Sequence, residues 1–421
     1  MRHVSTTTFL KAGRSLTAGV ALLLLAGCIG ASWVGRRIVH PPVNAKADAL
    51  MHRFAKPFYT QRIVLRVAAP DPGTIVASVI EPARYDFKIT VNYRAAKTRG
   101  AELEWTLPRI SFVPRDTATL KPVAKRRILW KALRDWLATL KPEAPVGTIL
   151  MLPPFGFNKN SLLPWALFFA DRGWRVVVVD LRGQGASRSR YLTWGLRDRH
   201  DLHRLIRVLK HRRLLAPPWL YFGISYGAGV ALMAAAGPPW PAGVIAVSPW
   251  ASAREVIALG GHRWGNRWVG WLAPGVHSPT WAKAEKIAGR LAGIDLARAM
   301  PIRSVPSIRA PVLYLGGLSD RVAPPAEMRA LARNTPRATL VLLPGLTHTV
   351  STTDIPGFCS AITDWLAQAL PRLPKRPCFV QRRIGKHGVI HEVYAAASPR
   401  KTAQRAPSRE ELDVVVGISI P

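Results

Sequence analysis

Residues 219–232 read Trp-Leu-Tyr-Phe-Gly-Ile-Ser-Tyr-Gly-Ala-Gly-Val-Ala-Leu. The apolar run at the start predicts a buried strand, and the small residues after Gly227 predict a helix. Ser225 lies between them, with Gly223 and Gly227 two positions away on either side. Glycines at this spacing favour a sharp strand-to-helix turn that lifts the serine hydroxyl clear of the sheet. Ser225 is therefore the predicted nucleophile, and a serine that merely caps the helix is the alternative.

A serine hydroxyl is a weak nucleophile until a histidine takes its proton and a carboxylate orients that histidine. Two later segments offer these groups in the chain order serine, acid, histidine. Asp320 follows a strand-like run at residues 311–317, and His348 ends the next such run. We predict Asp320 as the orienting acid and His348 as the general base. Asp295 and Asp354 are the alternatives if Asp320 only caps a turn.

An oxyanion hole needs backbone N–H groups aimed at the oxygen on which negative charge develops. Tyr226, which follows the predicted nucleophile, supplies the first of them. The second is expected after an earlier strand, where residues 147–152 run into the sequence Pro-Pro-Phe-Gly. Because proline has no N–H, we predict the N–H of Phe155, with Gly156 as the next choice.

A fourth motif, Asp-Leu-Arg-Gly-Gln-Gly-Ala-Ser at residues 180–187, follows another apolar run. The order and spacing of the four motifs resemble the α/β-hydrolase superfamily over about residues 61–370, and most closely its serine-aminopeptidase-like and monoglyceride-lipase-like group. The resemblance implies an α/β fold with a mostly parallel central sheet flanked by helices, and a helical cap inserted at residues 251–308. It implies hydrolysis of esters, amides or peptides without a cofactor, and it makes Asp180 part of the scaffold. The family usually has His-Gly where this chain has two prolines.

The N-terminus carries a second signal. Basic residues precede an apolar run that ends in Leu-Ala-Gly-Cys, which resembles a bacterial lipobox. This predicts that residues 1–27 are a signal peptide and that Cys28 carries the lipid. Because apolar character continues to Gly35, an uncleaved membrane anchor is the alternative. Residues 28–60 are predicted to form a tether, with the protein at the extracytoplasmic face of a bacterial cell envelope.

The net charge is +36, from 60 Lys and Arg residues against 24 Asp and Glu residues. Such a charge favours an anionic membrane surface or an acidic substrate as partner. No zinc-finger or helix-turn-helix pattern accompanies it, so a specific nucleic-acid function is not expected. The histidines lack the acidic or cysteine neighbours of a metal site, and no metal is predicted.

Three cysteines are present. If Cys28 is lipidated, Cys359 and Cys378 remain, and the sequence leaves a disulfide and two free thiols equally open. Residues 371–421 are basic and contain scattered prolines, which predicts a largely disordered tail.

The sequence therefore predicts an envelope-anchored serine hydrolase that forms an acyl-enzyme on Ser225 and acts on a small-molecule, lipid or peptide substrate. An acyltransferase of the same fold is the first alternative. A hydrolase-like scaffold that has become a binding protein of the envelope is the second.

Overall fold

The structure is a computed structural model, which describes residues 31–43, 45–67, 72–85, 87–95, 103–105, 109–112, 126–264, 279–374, 376, 378–384, 390–395 and 412–415. The strands in chain order are β1 (Gln61–Val67), β2 (Gly73–Ile80), β3 (Phe87–Ala95), β4 (Leu103–Trp105), β5 (Arg109–Phe112), β6 (Gly147–Leu152), β7 (Trp174–Asp180), β8 (Trp219–Ile224), β9 (Gly243–Val247), β10 (Val312–Gly317), β11 (Ala338–Leu343), β12 (Phe379–Ile384), β13 (Ile390–Ala395) and β14 (Leu412–Val415).

The helices are α1 (31–39), α2 (Ala45–Ala55), α3 (Arg126–Thr139), α4 (Leu163–Ala170), α5 (Asp198–His211), α6 (Tyr226–Ala235), α7 (Ala253–Trp264), α8 (Pro279–Ala292), α9 (Pro301–Ser304), α10 (Pro325–Arg333), α11 (His348–Ser351) and α12 (Ile355–Ala369).

Eight strands form the central sheet in the order β1-β2-β7-β6-β8-β9-β10-β11. Six neighbouring strands pair in parallel, namely β7, β6, β8, β9, β10 and β11. At one edge, β2 pairs antiparallel with both β7 and β1. The predicted fold, a mostly parallel sheet flanked by helices, is confirmed. In a parallel sheet the carboxyl ends of the strands lie at one edge, so the loops after β6, β8, β10 and β11 are brought together there.

Alternate residues of each central strand enter two different cores, as the two-residue period of a strand requires. In β6, Leu150 and Leu152 belong to the core that contains α5 and α6 residues such as Leu205 and Val230. Ile149 and Met151 of the same strand face the other core, together with residues of α4 and α12. Strands buried on both faces explain the unbroken apolar runs in the sequence.

A second, antiparallel sheet has the order β12-β13-β3-β5-β14, with β4 paired to β3. Tyr394 of β13 and Phe87 of β3 are buried in the core shared with α4 and α12. The prediction of a largely disordered tail after residue 370 is therefore wrong for β12, β13 and β14. Sequence pattern missed β13 and β14 because their partners, β3 and β5, lie about 300 residues earlier in the chain, and β12 joins the sheet through β13.

The predicted tether is also wrong for residues 31–43 and 45–60, which are folded onto the body. Ile38 and Val39 are buried in one core, and Phe54 and Phe58 are buried in the other. Helix α1 crosses α8 so closely that a Cβ on Gly35 would lie 2.6 Å from the Ala284 carbonyl oxygen. The apolar positions of this segment serve the packing of the protein, which composition alone did not reveal.

Within the ranges given above, no helix has both the length and the apolar character needed to cross a bilayer. The apolar run before Cys28, and Cys28 itself, lie outside the described residues.

The described part of the region predicted as a cap contains the helices α7, α8 and α9, between residues 251 and 308. Trp281 of α8 is 5% exposed and belongs to the core that contains α5 and α6. This tryptophan therefore fastens the insertion to the body of the protein.

Cys359 of α12 and Cys378 are joined by a disulfide, 19 residues apart in the chain. Of the two states that the sequence left open, the structure has the disulfide. It ties α12 to the residue before β12, and so to the second sheet.

Candidate active site

Ser225 occupies the sharp turn between β8 and α6. Its φ of 49° and ψ of −109° are unusual for a residue with a side chain. The neighbouring strand holds this backbone, because the N–H of Ser225 donates to the carbonyl oxygen of Val247 at 2.8 Å. A strained backbone that its surroundings enforce is typical of functional positions.

Neither glycine of the turn has a positive φ, so backbone conformation does not require glycine at these positions. Glycine is required because a Cβ would clash with neighbouring backbone. A Cβ on Gly227 would lie 2.2 Å from the carbonyl oxygen of Leu152, at the end of β6. A Cβ on Gly223 would lie 2.4 Å from the carbonyl oxygen of Gly227. The glycines thus let β8, α6 and the end of β6 meet closely, and the positive φ falls on Ser225 itself.

The structure brings together the three side chains that the sequence predicted as nucleophile, base and acid. Oγ of Ser225 lies 2.8 Å from Nε2 of His348, although the residues are 123 positions apart. Nδ1 of His348 lies 2.8 Å from Oδ2 of Asp320. The Asp320 side chain is fully buried, whereas the imidazole retains 16% exposure. One continuous hydrogen-bonded chain therefore runs from a buried carboxylate to a hydroxyl.

The loop after β10 holds the carboxylate of Asp320 in place. Its Oδ1 accepts the N–H groups of Val322 and Ala323 at 2.9 and 2.8 Å, which leaves Oδ2 for the imidazole. The alternative acids cap helical turns: Asp295 accepts the N–H of Ala297, and Asp354 accepts that of Gly357. The acid beside His348 is therefore Asp320.

The short helix α11 carries His348 and is tied to the end of β9. Oγ of Ser351 donates to the carbonyl oxygens of Thr347 and His348 and lies 2.7 Å from Oγ of Ser248. Ser248 follows β9 with a φ of 47°. These hydroxyls orient the backbone under the imidazole, and the sequence contained no signal for them.

Tyr226 begins α6, so its N–H has no acceptor within the helix. The side chain is anchored below the turn, where its OH donates to Oδ2 of Asp198 at 3.3 Å and accepts the N–H of Trp194 at 3.1 Å. Burial raises the pKa of the Tyr226 phenol, and the neighbouring Asp198 carboxylate adds to the rise. The phenol thus stays neutral and keeps the first predicted oxyanion donor in place.

The second predicted donor lies in a tight turn after β6. The N–H of Phe157 donates to the carbonyl oxygen of Pro154 at 3.3 Å, and Gly156 has a φ of 75°. A positive φ at the third residue is typical of a type II turn and favours glycine. The ring of Phe155 lies 6.3 Å from that of Tyr226, centroid to centroid, so the two predicted donor residues are neighbours.

Asp180 has a structural place in this region. Its carboxylate accepts the backbone N–H and the Nζ of Lys159, each at 2.7 Å, and the N–H of Ala186 at 2.9 Å. Both members of the Lys159–Asp180 ion pair are buried. The pair fastens the segment after β6 to the turn after β7.

A further carboxyl group, Glu327 of α10, lies near the acid. Burial raises its pKa to about 7, and the carboxylates of Glu255 and Asp320 add to the rise against the hydrogen bond that its side chain accepts from the N–H of Ala251. This residue links α10 to the beginning of the insertion. Neither its spacing nor its neighbours in the sequence indicated it.

Within the described ranges, no group of three or more His, Cys, Asp or Glu side chains is arranged to hold a metal ion.

The chain is similar to several known proteins. Residues 62–300 match the family described as X-Pro dipeptidyl-peptidase (S15 family). The match includes Ser225 and ends before Asp320 and His348. No curated protein matches the chain.

Similar solved structures include three hydrolases. An esterase from Pyrococcus furiosus is 14% identical, with 80% of this chain and 98% of that chain covered and a TM-score of 0.48. An esterase from Thermogutta terrifontis is 18% identical, with coverages of 74% and 99% and a TM-score of 0.44. An α/β hydrolase from Penicillium sp. sh18 is 18% identical, with coverages of 74% and 99% and a TM-score of 0.45. At identities this low, similarity concerns the fold alone.

The resemblance to the α/β-hydrolase superfamily that the motifs indicated is confirmed at the level of the superfamily. Since the matched region spans more than half of the chain, the protein belongs to the X-Pro dipeptidyl-peptidase (S15) family and is a hydrolase of the α/β-hydrolase fold.

Proposed function

We propose that the protein is a serine hydrolase that cleaves an ester or amide through an acyl-enzyme on Ser225. His348 is the general base and Asp320 is the residue that orients it. The observation that carries the proposal is the hydrogen-bonded chain from Asp320 through His348 to Ser225, with both links at 2.8 Å. These contacts join three loops at one edge of the sheet and match the geometry required for activation of a serine.

In the first half of the reaction, Oγ of Ser225 attacks the carbonyl carbon of the substrate while Nε2 of His348 takes the hydroxyl proton. Negative charge moves to the carbonyl oxygen, which the N–H groups of Tyr226 and Phe155 stabilise. The carbon–oxygen or carbon–nitrogen bond then breaks, and the imidazolium gives its proton to the departing alcohol or amine. The acyl group remains on Ser225.

In the second half, water attacks the acyl carbon and gives a proton to His348. The tetrahedral intermediate collapses, the proton returns to Oγ of Ser225, and the acid leaves. The buried Asp320 carboxylate stabilises the imidazolium in both halves and holds Nδ1–H toward itself, so that Nε2 faces the serine.

The test is covalent labelling of the detergent-solubilised full chain with a fluorophosphonate, followed by peptide mass analysis. We expect one adduct, on Ser225, that is lost in Ser225→Ala and strongly reduced in His348→Ala. Ser161→Ala is the matched control, because this half-buried serine bonds only to the nearby Asn158 carbonyl oxygen in the described contacts. Failure of the folded wild-type chain to label at any pH from 5 to 9 would overturn the proposal.

The type of bond that is cleaved can be determined with a panel of two substrate classes. Family membership favours a dipeptide amide with proline before the cleaved bond, and the motif resemblance favours acyl esters of graded chain length. Turnover of one class, absent in Ser225→Ala, assigns the bond type. Transfer of the acyl group to an added alcohol in preference to water would instead support the acyltransferase alternative.

We also propose that the protein is held at the bacterial envelope and faces an anionic surface. The support is the lipobox-like sequence at Cys28 and the exposed Trp33 of α1, over whose ring the Arg37 guanidinium lies at 5.0 Å. Tryptophan is enriched at membrane interfaces, and arginine is attracted to anionic lipid head groups. Growth with an alkyne fatty acid should label the wild-type chain and Cys378→Ser, but not Cys28→Ala. Equal labelling of all three would overturn lipid attachment at Cys28.

A further inference from the structure

The turn that carries the second predicted oxyanion donor begins with two residues that have no backbone N–H. Two consecutive prolines, Pro153 and Pro154, connect β6 to Phe155, and neither has an N–H that could fix the turn to its surroundings. The backbone hydrogen bonds that orient these two prolines are therefore the ones that their carbonyl oxygens accept. The carbonyl oxygen of Pro154 accepts the N–H of Phe157 within the turn, and it also accepts a side chain from outside the turn.

That side chain is Gln184, in the turn after β7. Its Nε2 donates to the carbonyl oxygen of Pro154 at 3.0 Å, and its Oε1 accepts the N–H of Leu181 at 3.3 Å. One partner is an acceptor and the other is a donor, so only one orientation of the amide satisfies both. Gln184 is 3% exposed, and a buried amide with both ends bonded is held rigidly.

The bond has a direct consequence for the oxyanion hole. The carbonyl of Pro154 and the N–H of Phe155 belong to the same peptide unit, which is planar and trans, so the two groups point in opposite directions. A side chain that holds the carbonyl oxygen on one side therefore fixes the direction of the N–H on the other. The aim of a donor determines how much it stabilises a developing oxyanion.

We propose that Gln184 is a positioning residue that aims the Phe155 N–H into the oxyanion hole. This assignment rests on the proposed serine-hydrolase function. It gives a role to the Asp-Leu-Arg-Gly-Gln-Gly motif beyond the scaffold role that the resemblance implied. Because Gln184 does not touch the reacting atoms, its loss should slow formation of the covalent bond without weakening the initial binding of the reagent.

The test compares fluorophosphonate inactivation of the full-length wild type with Gln184→Met, which has a similar volume and no donor. The phosphoryl oxygen of the reagent develops negative charge in the same hole, so the maximal rate kinact should fall roughly 10- to 100-fold. The concentration for half-maximal rate should stay within about twofold, since ground-state binding does not use an aimed donor. Gln184→Asn retains an amide but is one methylene too short to reach Pro154, and it should show the same split.

Ser187→Ala is the matched control for loss of a hydrogen bond in the same turn. Ser187 donates to the Asp180 carbonyl oxygen at 2.7 Å and accepts from the N–H of Val76 at 3.3 Å, and neither contact involves the turn after β6. Its kinact should remain near that of the wild type, at a melting temperature similar to those of the Gln184 variants.

Three outcomes are distinct. A wild type that does not label contradicts the proposed function itself. A wild type that labels normally, with both folded Gln184 variants matching Ser187→Ala in kinact, overturns the role of Gln184 and leaves the function standing. A selective fall of kinact in both variants supports the assignment. If Gln184→Met does not fold, Gln184→Asn against Ser187→Ala decides the question alone.

Discussion

The backbone of Gly227 approaches the carbonyl of Leu152 so closely that an added methyl group would lie 2.2 Å from that oxygen. Leu152 ends β6 and Gly227 lies in the first turn of α6. This contact therefore sets the distance between the turn with the predicted oxyanion donors and the turn with Ser225.

Gly227→Ala should cost about 3 kcal/mol of the free energy of unfolding, because neither backbone can yield without moving a strand end. Urea denaturation measures this cost. Gly237→Ala is the control, since its Cβ would meet only Cε1 of His203 at 3.9 Å, and its stability should stay within about 0.5 kcal/mol of the wild type. Equal stability of the two variants would show that the close approach is relaxed in solution.

Two substitutions of Ser225 distinguish the effect of the hydroxyl from the effect of the strained backbone. Ser225→Ala removes the nucleophile and keeps a Cβ at a φ of 49°, whereas Ser225→Gly removes both. We expect both to lack fluorophosphonate labelling, and Ser225→Gly to be more stable than Ser225→Ala by about 1 kcal/mol. Thermal denaturation of the two proteins measures the difference. A glycine variant less stable than the alanine variant would contradict strain at this position.

Asp320→Asn should lower the labelling rate by roughly 10⁴-fold while the chain stays folded. The asparagine oxygen can still accept the N–H groups of Val322 and Ala323, but its NH₂ faces Nδ1 of His348 and favours the wrong tautomer. Stopped-flow or long-time labelling covers the range of rates. Asp295→Asn and Asp354→Asn test the alternative acids of the sequence, and each should keep a near-normal rate. A larger loss in either of them than in Asp320→Asn would reassign the acid.

Glu327 should make the protein less stable as the pH rises. Its pKa is raised from 4.5 to about 7 in the folded chain, so the folded state binds this proton more tightly than the unfolded state does. The proton on Glu327 therefore contributes to the free energy of unfolding. This contribution is complete below about pH 4.5 and is lost as the pH rises to about 7.

Glu327→Gln keeps an acceptor for the N–H of Ala251 and removes the titration. Relative to the wild type it should be more stable at pH 8 by up to about 3 kcal/mol and nearly equal at pH 4. Denaturation at both pH values measures this change, with Asp364→Asn, at an exposed position of α12, as control. A difference between variant and wild type that does not vary with pH would contradict the raised pKa.

Cys378→Ser should lower the free energy of unfolding by about 3 kcal/mol, because the disulfide to Cys359 restricts the unfolded chain. A thiol reductant should lower the melting temperature of the wild type toward that of the variant and leave the variant unchanged. A wild type that is insensitive to the reductant after unfolding and refolding in its presence would argue against a stabilising bond.

Local patterns in the sequence were enough to locate the central strands and the residues that meet at their carboxyl ends. Ser225, Asp320 and His348 each follow an apolar run, and glycines and a proline pair mark the turns between strands and helices. These features are local because strand burial, tight turns and missing N–H groups depend on a few neighbouring residues.

Contacts between distant segments could not be read in this way. The pairing of β13 with β3, the packing of α1 against α8, and the bond from Gln184 to Pro154 join segments whose patterns are ordinary when taken separately. The tail and the N-terminal segment were therefore expected to be unstructured, although both contribute to cores. In these cases the partner, rather than the segment, supplies the buried surface and the hydrogen bonds, and the partner is defined only once the chain has folded.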